Sequence, residues 1–182
     1  MAMSNYLITK GHHTEVGVKY YFVRNGRSDI IKSIDYSYSS NFENKKIYNL
    51  AFGDYNAKTD GISDDVNTEN GDVYKVFNTV LSTIPLFFQS YPNSMMIVKG
   101  SDSSPQFIEK CKLACRRKCA ADCKKSHRRI KVYCGYINRN YHDLRRDFTF
   151  YGGIDTGGNH IVIEDYIVGK KYDAVFVTIE NA

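Results

Sequence analysis

The chain has 182 residues, 42% of them hydrophobic and 25% charged, with 25 Lys and Arg against 20 Asp and Glu and a formal net charge of +5. That size supports one domain with a real core and is short for two, and the composition is ordinary for a soluble globular protein. The amino-terminal MAMSNYLITKGHH has no apolar signal region, no stretch has the uninterrupted apolar length of a membrane span, and five cysteines are an odd number, which argues against an extracellular disulfide framework. A cytoplasmic protein is therefore expected, without a membrane partner.

From Val16 to Ser40 the sequence reads as a β-hairpin. Tyr20, Tyr21, Phe22 and Val23 lead into Asn25-Gly26, a strong turn signal, and Ile30 to Tyr38 returns with alternating apolar residues. His12 and His13 precede it. Such a pair can bind metal, but beside a loose terminus it is expected to be solvated. A third strand follows over Lys46–Tyr55. The acidic segment from Asn56 to Asn70 lacks the ligand order of a calcium loop and reads as a solvated excursion. Asp54 and Asp72 flank it as a candidate carboxylate pair, with helix capping as the competing role for Asp72.

Val73, Val76, Phe77, Val80, Leu81, Ile84, Phe87 and Phe88 recur at three- and four-residue intervals, which predicts a helix packed on a sheet. Pro85 should kink or end it. Tyr91-Pro92-Asn93 then turns the chain into a strand over Ser94–Lys99. Where that strand ends, Lys99, Gly100 and Ser101 precede a helix, and free backbone N–H groups at a helix start can hold phosphate. The spacing is not that of a P-loop, so a plain tight turn competes.

Ser104-Pro105 is a helix start signal. Beyond it Cys111, Cys115, Cys119 and Cys123 stand four residues apart among Lys, Arg and Ala, so on a helix the four thiols form one slowly winding stripe. Three roles are open. They pack as small hydrophobes, they bind a thiophilic ion such as Zn(II) or Cu(I), or they pair in redox chemistry. No zinc-type C-x-x-C is present. Ile130, Tyr133, Cys134, Ile137, Tyr141 and Leu144 keep helical spacing for a further helix from Arg128. Arg128, Arg129, Arg139, Arg145, Arg146 and Asn138 lie among its tyrosines, a mixture that suits nucleic acid and also suits an ordinary solvated helix. Strands near 147–154, 160–167 and 172–179 close the chain.

Charge is unevenly spread. From Glu109 to Lys131 ten Lys and Arg face Glu109 and Asp122, a balance of +8, whereas from Asp54 to Asp72 six acids face Lys58, a balance of −5. Two solvated surfaces, self-association between them, or binding to nucleic acid all follow from such a pattern.

Several short segments occur together. They are NLAFGD at Asn49–Asp54, Gly71-Asp72 before a helix, Tyr91-Pro92, Lys99-Gly100-Ser101, Arg129 with Tyr133 and Ile137-Asn138, DFTFYG at Asp147–Gly152, and Tyr172–Phe176. In this order, over nearly all of the chain after residue 16, the sequence resembles a small uncharacterised family of Bacteroidota proteins, a domain of unknown function. In that family the Gly-Ser turn leads almost directly into the helix with Arg and Tyr. Residues 102–126 here read as an inserted Cys-rich basic helix, which separates the turn from Arg128 and Arg129. The resemblance implies a compact α+β domain and names no activity.

The expected fold is a single α+β domain, a mostly antiparallel sheet covered by two helices, with the cysteine helix inserted. The leading functional expectation is a module binding nucleic acid or a nucleotide. Lys99, Gly100, Ser101, Arg128 and Arg129 form its anion site, and Tyr133 and Asn138 contact a base or sugar. A toxin–antitoxin or phage-defence setting, with a homodimer or a cognate partner protein, suits a small bacterial domain of this type. The alternatives are metal or redox sensing through Cys111, Cys115, Cys119 and Cys123, and a hydrolytic enzyme using Asp54, Asp72 or His142.

Overall fold

The structure is a computed structural model, and it describes residues 5–25, 29–63, 72–113, 119, 123–158 and 160–179. The chain divides into two compact units, Met1–Ser94 and Met95–Ala182. Both combine antiparallel strands with helices, so the fold class is α+β, as the sequence predicts. No helix among the described residues is long and apolar enough to cross a membrane.

The first unit holds β1 (Ile8–Thr14), β2 (Gly17–Arg24), β3 (Ile30–Phe42), β4 (Lys45–Asn56), the short β5 (Gly61–Ser63) and α1 (Val73–Ser90). Strands β1 to β4 pair in sequence order, and β5 adds to β4. Val18, Tyr20 and Phe22 alternate inward from β2, joined by Ile34 and Tyr36 from β3 and Tyr48 and Leu50 from β4. The apolar stripe of α1 closes this core through Val80, Phe87 and Phe88. Phe87 stacks on Tyr36 at 4.4 Å, and the Tyr36 hydroxyl lies 2.8 Å from Thr83 Oγ1, so this fully buried ring has its polar end satisfied. Pro85 does not end the helix, which continues to Ser90. The proline stands on the exposed side, where water can serve the carbonyl it leaves unpaired.

Strand β1 is a difference from the expected loose terminus. Its sequence ITKGHHT has no apolar alternation, yet it pairs with β2 at Ile8–Phe22, Thr9–Tyr21 and Lys10–Tyr20. Backbone pairing at an edge does not require a buried face, and Gly11 lets the Tyr21 ring lie flat over the strand. A Cβ there would sit 2.3 Å from Tyr21 Cε2. The expected Asn25-Gly26 turn lies partly outside the described residues.

The second unit holds β6 (Ser94–Lys99, whose first residue ends the preceding unit), a 3-10 turn (Ser101–Ser103), α2 (Pro105–Leu113), α3 (Arg128–Leu144), β7 (Thr149–Asp155), β8 (Ile161–Asp165) and β9 (Ala174–Thr178). The strand order is β6-β9-β7-β8, all antiparallel. All five residues of β9 are buried, and α3 packs on this strand, with Ile130, Cys134 and Ile137 buried. Gly152 is required where it stands, because the Tyr172 ring lies 2.0 Å from where its Cβ would be.

Helix α2 starts as predicted, with Ser104 Oγ accepting the Phe107 N–H at 3.1 Å. It ends early. The helical stripe of four cysteines holds only at Cys111, because Cys119 and Cys123 lie outside any helix, and Cys115 lies outside the described residues. The described part of α2 lacks a packed face. None of its residues is buried and Leu113 is 91% exposed, so little tertiary contact supports these turns.

Candidate functional site

The residues expected to bind an anion meet at the amino-terminal end of α3. Lys99 ends β6 with its side chain exposed, Gly100 is buried, and Ser101 opens the 3-10 turn. From 28 residues away the Arg129 guanidinium donates to Ser101 Oγ at 2.6 Å. The intervening segment therefore does not separate the Gly-Ser turn from Arg129, as its length suggests. Its ends return to one place.

Asp102 makes that return, and the sequence gives no sign of it. This side chain is buried, and its Oδ2 accepts the backbone N–H groups of Arg128 at 2.8 Å and Arg129 at 3.1 Å. Its carbonyl accepts the N–H of His127 at 3.4 Å. His127 caps α3 with no side-chain hydrogen bond of its own and in a left-handed conformation, φ +57°. A carboxylate remote in sequence thus does the work of the missing cap and sits at the positive end of the helix dipole. The backbone amides that recommend a helix start for phosphate are in this way already engaged. An external anion at this corner must be held by side chains, those of Lys99, Arg128 and Arg129. The other Asp102 oxygen, Oδ1, and Ser103 Oγ are buried without hydrogen-bond partners. Both crowd Gly100, whose Cβ would lie 2.5 Å from Oδ1 and 3.2 Å from Ser103 Oγ.

Tyr133 and Asn138 follow on α3, both half-buried. The Asn138 carbonyl oxygen accepts the Tyr166 hydroxyl at 2.9 Å and the Gly169 N–H at 3.2 Å. It fastens the β8–β9 connection to the helix. That connection is further braced by Glu164, whose Oε1 accepts from Lys170 Nζ at 2.5 Å and from the Tyr172 hydroxyl at 2.8 Å. Both hydrogen bonds hold the Glu164 carboxyl below its ordinary range.

Among the cysteines, Cys119 Sγ accepts the Lys124 N–H at 3.5 Å and Cys123 is buried. No group of three or more His, Cys, Asp or Glu side chains converges as a metal site among the described residues. Cys134, from α3, is buried beside Tyr166, and burial pushes its thiol up from the ordinary value.

The first unit carries a second concentration of charge. Arg24 is buried on β2, and it grips Asp72 with both ends of the fork: Nε donates to Oδ2 at 2.7 Å, and Nη2 to Oδ1. The Tyr6 hydroxyl also donates to Asp72 Oδ2, at 2.7 Å. Asp72 stands at the N-cap position of α1, as the sequence suggests, but its side chain makes no capping hydrogen bond and turns to Arg24 and Tyr6 instead. The Arg24 and Tyr6 hydrogen bonds pull its pKa down to about 2 against the opposing effect of burial. Asp54, its expected companion, is buried and paired with Lys32 directly across the β3–β4 ladder. The charge of Asp54 also acts on Arg24, so the two carboxylates belong to one network with the arginine between their fields. Arg24 was legible in principle: it shares the inward parity of Val18, Tyr20 and Phe22 on one strand, where an unpaired charge would be intolerable. His142, in the second unit, stands in the last turn of α3 and is exposed.

The sequence profile of a Family of unknown function (DUF6934) matches residues 4–108, a stretch that contains all of the Arg24 and Asp54 network as well as Lys99, Gly100, Ser101 and Asp102. No curated protein and no protein of solved structure matches the chain.

Proposed function

We propose, for a chain that belongs to the DUF6934 family of unknown function, that it binds a phosphate-bearing polyanion, single-stranded RNA or DNA, through the cations around the start of α3. The observation that carries this reading is the contact between Arg129 and Ser101, which brings Lys99, the Gly-Ser turn and the Arg128-Arg129 pair to one corner. Sequence charge supports it. Residues 95–182 hold sixteen Lys and Arg against ten Asp and Glu, a balance of +6, whereas residues 1–94 hold nine against ten. Lys110, Lys112, Lys124, Lys125, Arg128 and Lys131 are all exposed.

Since Asp102 already occupies the helix amides, contact with phosphate falls to flexible side chains. Binding of that kind has little sequence preference and a steep dependence on salt. The test is fluorescence anisotropy of labelled RNA and DNA oligonucleotides over a range of salt concentrations. Arg128→Ala with Arg129→Ala keeps both backbone N–H groups, and so keeps the Asp102 cap. This double variant should bind several-fold more weakly, with a slope of log affinity against log salt smaller by about 1 to 2. Equal affinity and equal slope in parent and variant would remove this corner from the function.

A further inference from the structure

Three turns of the first unit meet at one end of its sheet around an open cleft of about 670 Å³, within the range of small-ligand sites. They are the β1–β2 turn with Glu15, the β3–β4 turn with Asn44, and Pro92-Asn93 after α1. Tyr91 forms its wall. The ring is tilted against Tyr48 at 4.7 Å and meets the edge of His13 at 5.5 Å, and its hydroxyl donates to the Thr14 carbonyl at 2.6 Å. Burial pushes the Tyr91 phenol up to about 12, so it remains a neutral donor at any ordinary pH. The wall is thus fixed before a ligand arrives, which lowers the ordering cost of binding.

The polar groups around this wall have a particular balance. One carboxylate (Glu15), one ammonium (Lys46), an amide (Asn44) and hydroxyls from the serines line the same cleft, with no excess of either sign. No hydrogen bond or ion pair among the described residues engages the Glu15 carboxylate or the Lys46 amine. A phosphate or carboxylate ligand would gain from Lys46 and lose to Glu15. A hydroxyl group, which both donates and accepts, is served by both. The geometry points to a binding site for an uncharged ring carrying several hydroxyl groups, held with its apolar face on Tyr91 and His13 and its hydroxyls on Glu15, Lys46 and Asn44. Two ligands share that chemistry, a free hexose and the ribose of a nucleoside.

Saturation-transfer NMR with D-glucose, D-galactose, adenosine and uridine as probes tests the assignment. Transfer to the hexoses alone identifies a sugar site, and transfer to the nucleosides alone identifies a ribose site. Either supports the inference if Glu15→Gln with Lys46→Met weakens binding tenfold or more, while the Arg128→Ala and Arg129→Ala variant binds as the parent does. Both cleft substitutions are at exposed positions, and an unchanged melting curve confirms that the variant is folded. Absence of transfer to all four probes overturns the inference. So does affinity unchanged by the cleft variant, or binding confined to anionic compounds such as inorganic phosphate added as a control.

Discussion

Asp72→Ala should lower folding stability by about 3 kcal/mol, because a part-buried carboxylate that accepts charged hydrogen bonds from Arg24 and a further one from Tyr6 is lost. Arg24 is only 6% exposed, so without Asp72 its guanidinium loses a two-point charged acceptor where water replaces it poorly. Urea unfolding at neutral pH measures the loss. Replacing both partners, Arg24→Met with Asp72→Leu, should restore much of it, because the desolvated charge is then gone. An Asp72→Ala protein that unfolds at the parent's urea midpoint would show that the pair contributes nothing. The same pair sets an acid response. The folded pKa of about 2 lies below the unfolded value of about 3.9, so the carboxylate stabilises the fold above the unfolded pKa and ceases to do so as pH falls toward 2. The gap between parent and variant should therefore be widest at pH 5 and above, and should narrow steadily below pH 4.

Asp102→Ala is the second large effect, about 2–3 kcal/mol, since it removes a charged acceptor from two backbone donors at a buried helix start. The loss has a location. Amide hydrogen exchange at Arg128 and Arg129 should accelerate relative to the middle of α3, where Cys134 and Ile137 remain buried. Asp102→Asn keeps an acceptor oxygen and should recover part of the protection. Exchange at those two amides that is unaltered in the Ala variant would mean that water or another group caps the helix equally well.

Periodicity made the two long helices and most strands readable, because each buries one face against its unit. The alternation of Val18, Tyr20 and Phe22 and the stripe ending in Phe87 and Phe88 are the residues that form the first core. Strand β1 escaped because an edge is held by backbone pairing and leaves no mark on side-chain order. The cysteine spacing is helical on paper, but Cys119 and Cys123 lie outside any helix, and the described part of α2 buries no residue, so periodicity there reported no packed face. Lys99, Ser101, Arg128 and Arg129 were legible as chemistry and not as a constellation. What joins them is Asp102, an acid in a Ser-rich turn whose partners lie 26 and 27 residues on. No local pattern encodes so distant a partner. Arg24 is the opposite case, since strand parity alone places it inward and demands an acid to meet it.

The clasp made by Asp102 and Ser101 bears on how this chain tolerates change. A loop whose two ends are pinned together contributes to the fold only through the entropy of its closure, and doubling its length adds about 0.6 kcal/mol. Residues 103–127 begin and end at such a pinned point. Their number is thereby only loosely coupled to the strands and helix on either side. A change of length there costs little chain entropy so long as Asp102 and Arg129 keep their contacts, which makes the pinned point, more than the stretch it closes, the place where the fold is vulnerable.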